Sequence, residues 1–519
     1  MRHGSAVIRI GQAPGGSSPN AEIRSAPPWV AMLSQRHHGL RGGDALRIAP
    51  HRGMAGTATS SLWFEQAMAH EAGSSAPEAE LPARTDVAVV GGGFTGLWTA
   101  LALKRRRPNA EVLLLEADLC GSGASGRNGG FILTSWSKFS SLRRGGGEAD
   151  AITYARAIEA GVGAIARFCA EHEIDALLRG EGWLWAATND AQMDSWRETV
   201  EQLDAAGAQP FELVDADAVR ALTGSPVHRG GIVDPAAAVV QPALLARGLR
   251  RAAIAAGVVV CERTPVRAIE TAVSPTLITG RGRVRAERVV LATGAWAAAI
   301  PEVRRALVVI ASDIVATEPI PERLGELGWR NGLAISDSRR LVNYYRQSED
   351  GRIVFGKGGG GVALQGQIGP GFLGASPRRG DVTGQFHYVF PMLADVPATR
   401  SWRGPVDYSI NGLPFFAELP GRPGLLVGAG FSGSGVGPAY TAGDVLAAMA
   451  LGEDDHLGPE GLCCLPRGAM PPEPLRFAGA VAVRSAVARK EADEDAGRRS
   501  GRVTRALAAL DPTSFVDRA

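Results

Sequence analysis

Across residues 61–451 the apolar positions fall into short unbroken runs, and glycine-rich polar stretches follow several of them at once. Val87-Ala88-Val89-Val90 is one such run. Others are Val112-Leu113-Leu114-Leu115, Val258-Val259-Val260, Val289-Val290-Leu291 and Leu425-Leu426-Val427. Runs of this length with no polar position between the apolar ones suit strands buried on both faces of a parallel sheet. Residues 97–104 after the first run, and 441–450 after the last, carry mostly helix-favouring residues. A different arrangement holds at 341–346 and 352–356, two strand candidates joined by the polar turn Glu349-Asp350-Gly351, which predicts an antiparallel pair. The pattern predicts an α/β chain: a Rossmann-like mixed sheet with helices, interleaved with an α+β part built on an antiparallel sheet.

These elements divide the chain. Residues 61–140, 231–300 and 405–455 carry the glycine-linked runs and form a discontinuous first domain, while 141–230 and 301–404 belong to no such unit and form a second. Residues 1–60, rich in Gly, Pro, Ser and Arg and acidic only at Glu22 and Asp44, predict a disordered extension. Residues 456–519 predict a partly helical extension, in which Leu475, Phe477, Val481, Val483 and Val487 precede a charge run at 489–494 and form an amphipathic helix packed on the body or on a neighbour.

Composition removes several classes of function. With 45% hydrophobic and 21% charged residues over 519 positions, the chain can bury large cores. Lys and Arg total 55 against 53 Asp and Glu, so no net field points to nucleic acid. The five cysteines and nine histidines lack ligand spacing, which argues against a metal site or a disulfide framework. No apolar run reaches membrane-spanning length and no signal-peptide segment opens the chain, so a cytoplasmic protein is expected. The pattern says nothing about oligomeric state.

Chemistry enters at Gly91-Gly92-Gly93-Phe94-Thr95-Gly96, a G-x-G-x-x-G placed between a strand and a helix. Gly91 permits the tight turn, Gly93 admits a pyrophosphate to the backbone, and Gly96 lets the helix lie on the strand; the amides of Phe94 and Thr95 open that helix. Glu116 ends the next strand about twenty residues on, where a carboxylate accepts ribose hydroxyls. The unit disfavours NADP and leaves FAD and NAD open. A second G-x-G-x-x-G spans Gly428 to Gly433, but no following strand ends in an acid, so it is not a second dinucleotide unit.

Between Gly121 and Gly130 runs a polar glycine-rich loop containing Ser125, Arg127, Asn128, Gly129 and Gly130. With this loop the chain resembles the D-amino-acid oxidase superfamily of FAD-dependent flavoproteins, which includes glycine, sarcosine and gamma-glutamylputrescine oxidases. The resemblance covers most of residues 61–451 and implies non-covalent FAD, with the 121–130 loop beside the flavin. It further implies that Val266 offers its backbone to adenine and that Thr293 and Gly294 end a strand close to the cofactor. Gly430, Phe431, Ser432, Gly433, Ser434 and Gly435 would close over the pyrimidine edge of the flavin. Gamma-glutamylputrescine oxidase-like members often place a histidine in this turn, where this chain has Ser434.

For the substrate, relatives acting on amino acids often carry an arginine in a G-x-R-P-like segment, where this chain has Gly404-Pro405-Val406-Asp407. An acidic Asp407 favours an amine over a simple α-amino acid. Tyr345 and Arg346, with Tyr344, are further candidates on the predicted roof over the flavin. The resemblance implies oxidation of a C–N bond of a small amine or amino-acid derivative by hydride transfer to flavin N5, followed by imine hydrolysis and reoxidation by oxygen or another acceptor. A glycine- or D-amino-acid-type oxidase or dehydrogenase is the near alternative. A flavin monooxygenase, which usually shows a G-D-A-x-H-like turn, and a non-catalytic flavoprotein subunit are the alternatives of other classes.

Overall fold

The computed structural model describes residues 45–48, 61–71, 79–271, 274–454 and 461–510. The strand Arg84–Val90 forms where the first apolar run was expected, with Val112–Leu115 parallel beside it in the register Val87↔Val112. Both are buried on either face, as unbroken apolar runs require. Val259–Cys261 continues the sheet in parallel beyond Val112–Leu115, and Arg283–Leu291 lies on the other side of Arg84–Val90. That long strand serves two partners along its far edge. Its beginning pairs antiparallel with Thr276–Thr279, and its end pairs parallel with Leu425–Ala429. The helices Phe94–Arg106 and Pro438–Leu451 cover one face, crossing so closely that a Cβ on Gly443 would lie 2.6 Å from Trp98.

The second sheet has eight strands in the order Ala398–Ser409, Leu307–Thr317, Ile353–Lys357, Asn343–Gln347, Ala334–Asp337, Trp183–Ala187, Gly230–Asp234, Glu212–Val214. The expected hairpin is present, with Asn343–Gln347 and Ile353–Lys357 antiparallel and Tyr345 opposite Phe355. Its sheet is antiparallel except where Ala334–Asp337 runs parallel to Trp183–Ala187. The chain is thus an α/β molecule with a Rossmann-like mixed sheet and an interleaved, largely antiparallel one.

The expected boundaries at 230/231 and 404/405 both fall inside strands of the second sheet, Gly230–Asp234 and Ala398–Ser409. Continuous backbone pairing, not glycine content, decides where each segment belongs. Within the stretch expected to be disordered, Leu46–Arg47 pairs with Val266–Glu270 and Leu46 is buried; the remainder of 1–60 lies outside the described residues. In the C-terminal extension the helices Leu475–Asp495 and Arg502–Ala508 pack on the body through Val487, Ala508 and Leu341. Among the described residues no helix is long and apolar enough to cross a membrane, and no cluster of His, Cys, Asp and Glu suits a metal ion.

Candidate active site

Gly91 leaves the first strand at φ +113°, and a Cβ there would lie 2.5 Å from the Ala292 carbonyl oxygen. A Cβ on Gly96 would lie 1.9 Å from the Gly91 carbonyl oxygen, so the helix sits directly on the turn. Its cap residue Gly93 has no side chain to offer, and the first turn holds no acid. The Phe94 amide donates instead to Ser125 Oγ at 2.9 Å, which ties the 121–130 loop to the positive end of the helix. Glu116 is enclosed at the end of the second strand. Its Oε2 accepts from the Gly92 amide at 2.6 Å and its Oε1 from the Asp118 amide at 2.9 Å, while burial pushes its carboxyl upward against the pull of these amides.

One cavity of about 840 Å³ runs from Ile48, Glu116 and Val266 past Gly93 and the 121–130 loop to Asp407 and the 431–436 turn, ending among Trp185, Glu198 and Arg340 of the second sheet and its flanking segments. It is bordered by every residue expected to hold the cofactor except Gly96, Gly130 and Gly430. Those three act from behind. Gly96 seats the helix, Gly130 turns at φ +76° with the Val240 carbonyl where a Cβ would be, and the Gly430 amide anchors the turn on Asp407.

Asp407 borders the cavity and is 7% exposed; its Oδ2 accepts from the Gly430 amide at 2.6 Å. Burial raises its carboxyl from 3.8 to about 6, opposed by backbone amides and by the charge of Lys138. Lys138 borders the same cavity and donates from Nζ to the Gly412 carbonyl at 3.0 Å and the Phe431 carbonyl at 3.4 Å. Burial lowers it to about 8, opposed by the charge of Asp407. A carboxylate and an ammonium therefore fasten the 430–435 turn from two sides.

Tyr345 and Arg346, expected as catalytic groups, are not on the cavity wall. Strand alternation turns Tyr345 into the core, stacked on Phe355 with ring centroids 5.0 Å apart and its hydroxyl 2.6 Å from His228 Nε2. Tyr344 takes the cavity face instead, with its hydroxyl 2.8 Å from Ser312 Oγ. Arg346 lies behind the loop, where Nε donates to the Gly129 carbonyl at 2.8 Å and Nη2 to the Val240 carbonyl at 2.7 Å. It braces the loop and cannot reach across it.

A family model for DAO, FAD dependent oxidoreductase, matches residues 86–449. The chain belongs to this family. It is an FAD-dependent oxidoreductase, and the glycine turns, the uncapped helix end and the enclosed Glu116 fit that cofactor's adenosine and pyrophosphate. The chain is 31% identical over 383 residues to a probable oxidoreductase OrdL of Rhizobium meliloti, covering 72% of this chain and 85% of the relative. Gamma-glutamylputrescine oxidoreductase of Escherichia coli is 29% identical over 374 residues, covering 72% and 84%. Among solved structures, glycine oxidase from Geobacillus kaustophilus superposes with a TM-score of 0.61 at 24% identity over 75% of this chain and 100% of that one, a likeness of fold.

Three features of the cavity wall were not anticipated from sequence: Lys138, the tryptophans Trp183 and Trp185, and Ile48. Only Lys138 left a signal. The chain holds four lysines among 55 basic residues, so a lysine is the exception wherever it stands.

Proposed function

We propose that this enzyme oxidises a C–N bond of a small amine or amino-acid derivative, with the cavity residues around the helix start at Phe94, the 121–130 loop and the 431–435 turn holding FAD. Bound there, FAD supplies the chemistry by accepting a hydride from the carbon beside nitrogen. The chain's own task is positioning. The observation that carries the amine reading is the buried Asp407 on the cavity wall, at the point where the second sheet meets the flavin-side turn. With its carboxyl raised only to about 6, Asp407 is ionised at neutral pH and can accept a hydrogen bond from a substrate N–H. Tyr344 lines the same cavity as Asp407, and Trp183 and Trp185 line it farther across the second sheet. Arg127 offers no bidentate clamp for a carboxylate: Nε donates to the Ser122 carbonyl at 2.9 Å, and Nη1 to the Leu373 carbonyl at 2.6 Å and the Arg403 carbonyl at 3.4 Å.

The relative named gamma-glutamylputrescine oxidoreductase supports an amine substrate. Lys138 favours the second reading, a glycine- or D-amino-acid-type oxidase, because it brings a cation to the same wall. Anaerobic mixing of the FAD-loaded protein with primary, secondary and acylated amines, and separately with glycine and D-amino acids, tests both. Bleaching of the flavin by amines is expected. Bleaching by amino acids alone overturns the amine reading in favour of the second.

A further inference from the structure

The family match ends at residue 449, and the two helices beyond it pack behind Arg339 and Leu341, without lining the large cavity themselves. Leu341 is buried against Ala486, Val487 and Ala508. The Leu341 amide donates to Glu491 Oε1 at 3.0 Å, and Arg484 Nη1 donates to the Gly360 carbonyl at 2.8 Å. At the centre Arg339 makes ion pairs with Asp337, on its own sheet, and with Asp495, at the end of the long helix. Asp495 also accepts from Asn189 Nδ2 at 2.8 Å. The side chain of Arg339 is 2% exposed and that of Asp337 0%, so neither charge has water to fall back on. The guanidinium also donates to Thr188 Oγ1 at 2.7 Å, but its two charge partners are these carboxylates, and loss of either leaves a buried charge less compensated; one of them comes from the C-terminal helix.

The same short segment faces the cavity from its other side. Ser336, Asp337, Ser338, Arg339 and Arg340 border the far end of the large cavity, away from the glycine turns. A smaller cavity of about 360 Å³ lies between this segment and the helices, and its walls include Ser195, Ser338, Arg339 and Arg340, which border the large one too. The character of the wall changes along its length. Tyr344 abuts Gly129 of the loop and meets the ring of Phe131 edge-on, whereas at the far end Ser195, Glu198, Thr199, Ser338 and Arg340 set polar groups beside Trp185.

From this we infer that the C-terminal helix pair sets the depth of the substrate compartment, with Asp495 acting as a positioning residue that holds Arg339 and the 336–340 segment in place. The substrate is then an amine extended by a chain whose far end is polar and reaches that segment. The inference rests on the amine reading above.

The test compares wild type with Asp495→Asn, both loaded with FAD, in anaerobic flavin reduction by alkylamines of increasing length, with and without a terminal carboxamide or carboxylate. Unreactive alkyl carboxylates, titrated against the flavin spectrum, report binding without turnover, and melting temperature reports folding. KM for the long, polar-ended amines is expected to rise about tenfold while kcat changes by less than about twofold, with short amines shifting less than long ones. Binding of the longest carboxylates should weaken in parallel. Asn189→Ala, which withdraws one bond from Asp495 and leaves both ion pairs, should give the same ordering more weakly, and decides the matter if Asp495→Asn does not fold. An unchanged KM for long amines, or an equal shift for short and long ones, overturns the inference. If amino acids bleach the wild type and amines do not, the amine reading fails separately, and the dependence on chain length is read from the carboxylates.

Discussion

Replacing Asp407 by Asn keeps the shape of the side chain, and an acceptor for the Gly430 amide, while removing the charge that burial disfavours. The carboxyl stands at about 6 against an ordinary 3.8, a difference that costs the folded protein about 3 kcal/mol at neutral pH. The sign follows from proton linkage. A group whose pKa is raised on folding contributes stability that is complete below its unfolded value and lost as pH climbs through the folded one, here between about pH 4 and pH 6. Asn does not titrate. The gap in unfolding free energy between variant and wild type should therefore shift in favour of the variant by about 3 kcal/mol from pH 3 to pH 7. Urea unfolding of both FAD-loaded proteins at several pH values measures it, because effects of pH common to the two cancel in the difference. A gap that does not move with pH refutes the argument from burial. If the carboxylate also meets the substrate nitrogen, amine-driven flavin reduction should slow by roughly 10- to 100-fold, the scale of one charge-assisted hydrogen bond. Undiminished reduction would remove Asp407 from the substrate contact.

Three further changes probe other parts of the site. Lys138→Met should abolish an inflection near pH 8 in the pH profile of flavin reduction, because the lowered lysine loses its proton there and Met has none to lose; an unchanged profile assigns that inflection elsewhere. Ser125→Ala takes away the acceptor of the Phe94 amide and should weaken FAD binding by about 1 kcal/mol, roughly fivefold in Kd by flavin fluorescence titration. Gly96→Val drives a side chain into the Gly91 carbonyl and should give a protein that purifies without flavin colour, whereas a yellow variant would show that the turn can open.

Much of the first sheet was legible because its signal is local. A buried parallel strand shows as an unbroken apolar run, and the residue types at Gly91, Gly96 and Glu116 are dictated by turn, packing and carboxylate requirements within thirty residues of one another. The second sheet was legible only as a hairpin. Which of Tyr344 and Tyr345 faces the cavity depends on the phase of the pleat, and that phase is set by what covers the opposite face, here Phe355, Trp329 and Phe390. Arg346 shares the Tyr344 face, yet the loop carrying Gly129 intervenes, a contact between residues more than two hundred positions apart that no local pattern encodes. Lys138 and Asp407 are brought together in the same way.

Asp407 was singled out for its charge, but its place in the fold gives it a second role. It stands on Ala398–Ser409, an edge strand of the second sheet paired with Leu307–Thr317, and its carboxylate holds the amide of Gly430, directly after the first-sheet strand Leu425–Ala429. The Asp407 carbonyl accepts the Ser432 amide at 3.0 Å, Ser432 Oγ accepts the Ser409 amide at 3.1 Å, and the two serine hydroxyls lie 3.3 Å apart, so strand and turn are joined by several bonds. The two sheets are thereby locked at the point where the cavity around Asp407 meets the 430–435 turn. A cation arriving at Asp407 would compete with the Gly430 amide for the same carboxylate and draw on the charge balance with Lys138, which holds the Phe431 carbonyl of that turn. On the proposed reading, substrate charge and the geometry of the 430–435 turn are coupled through one side chain.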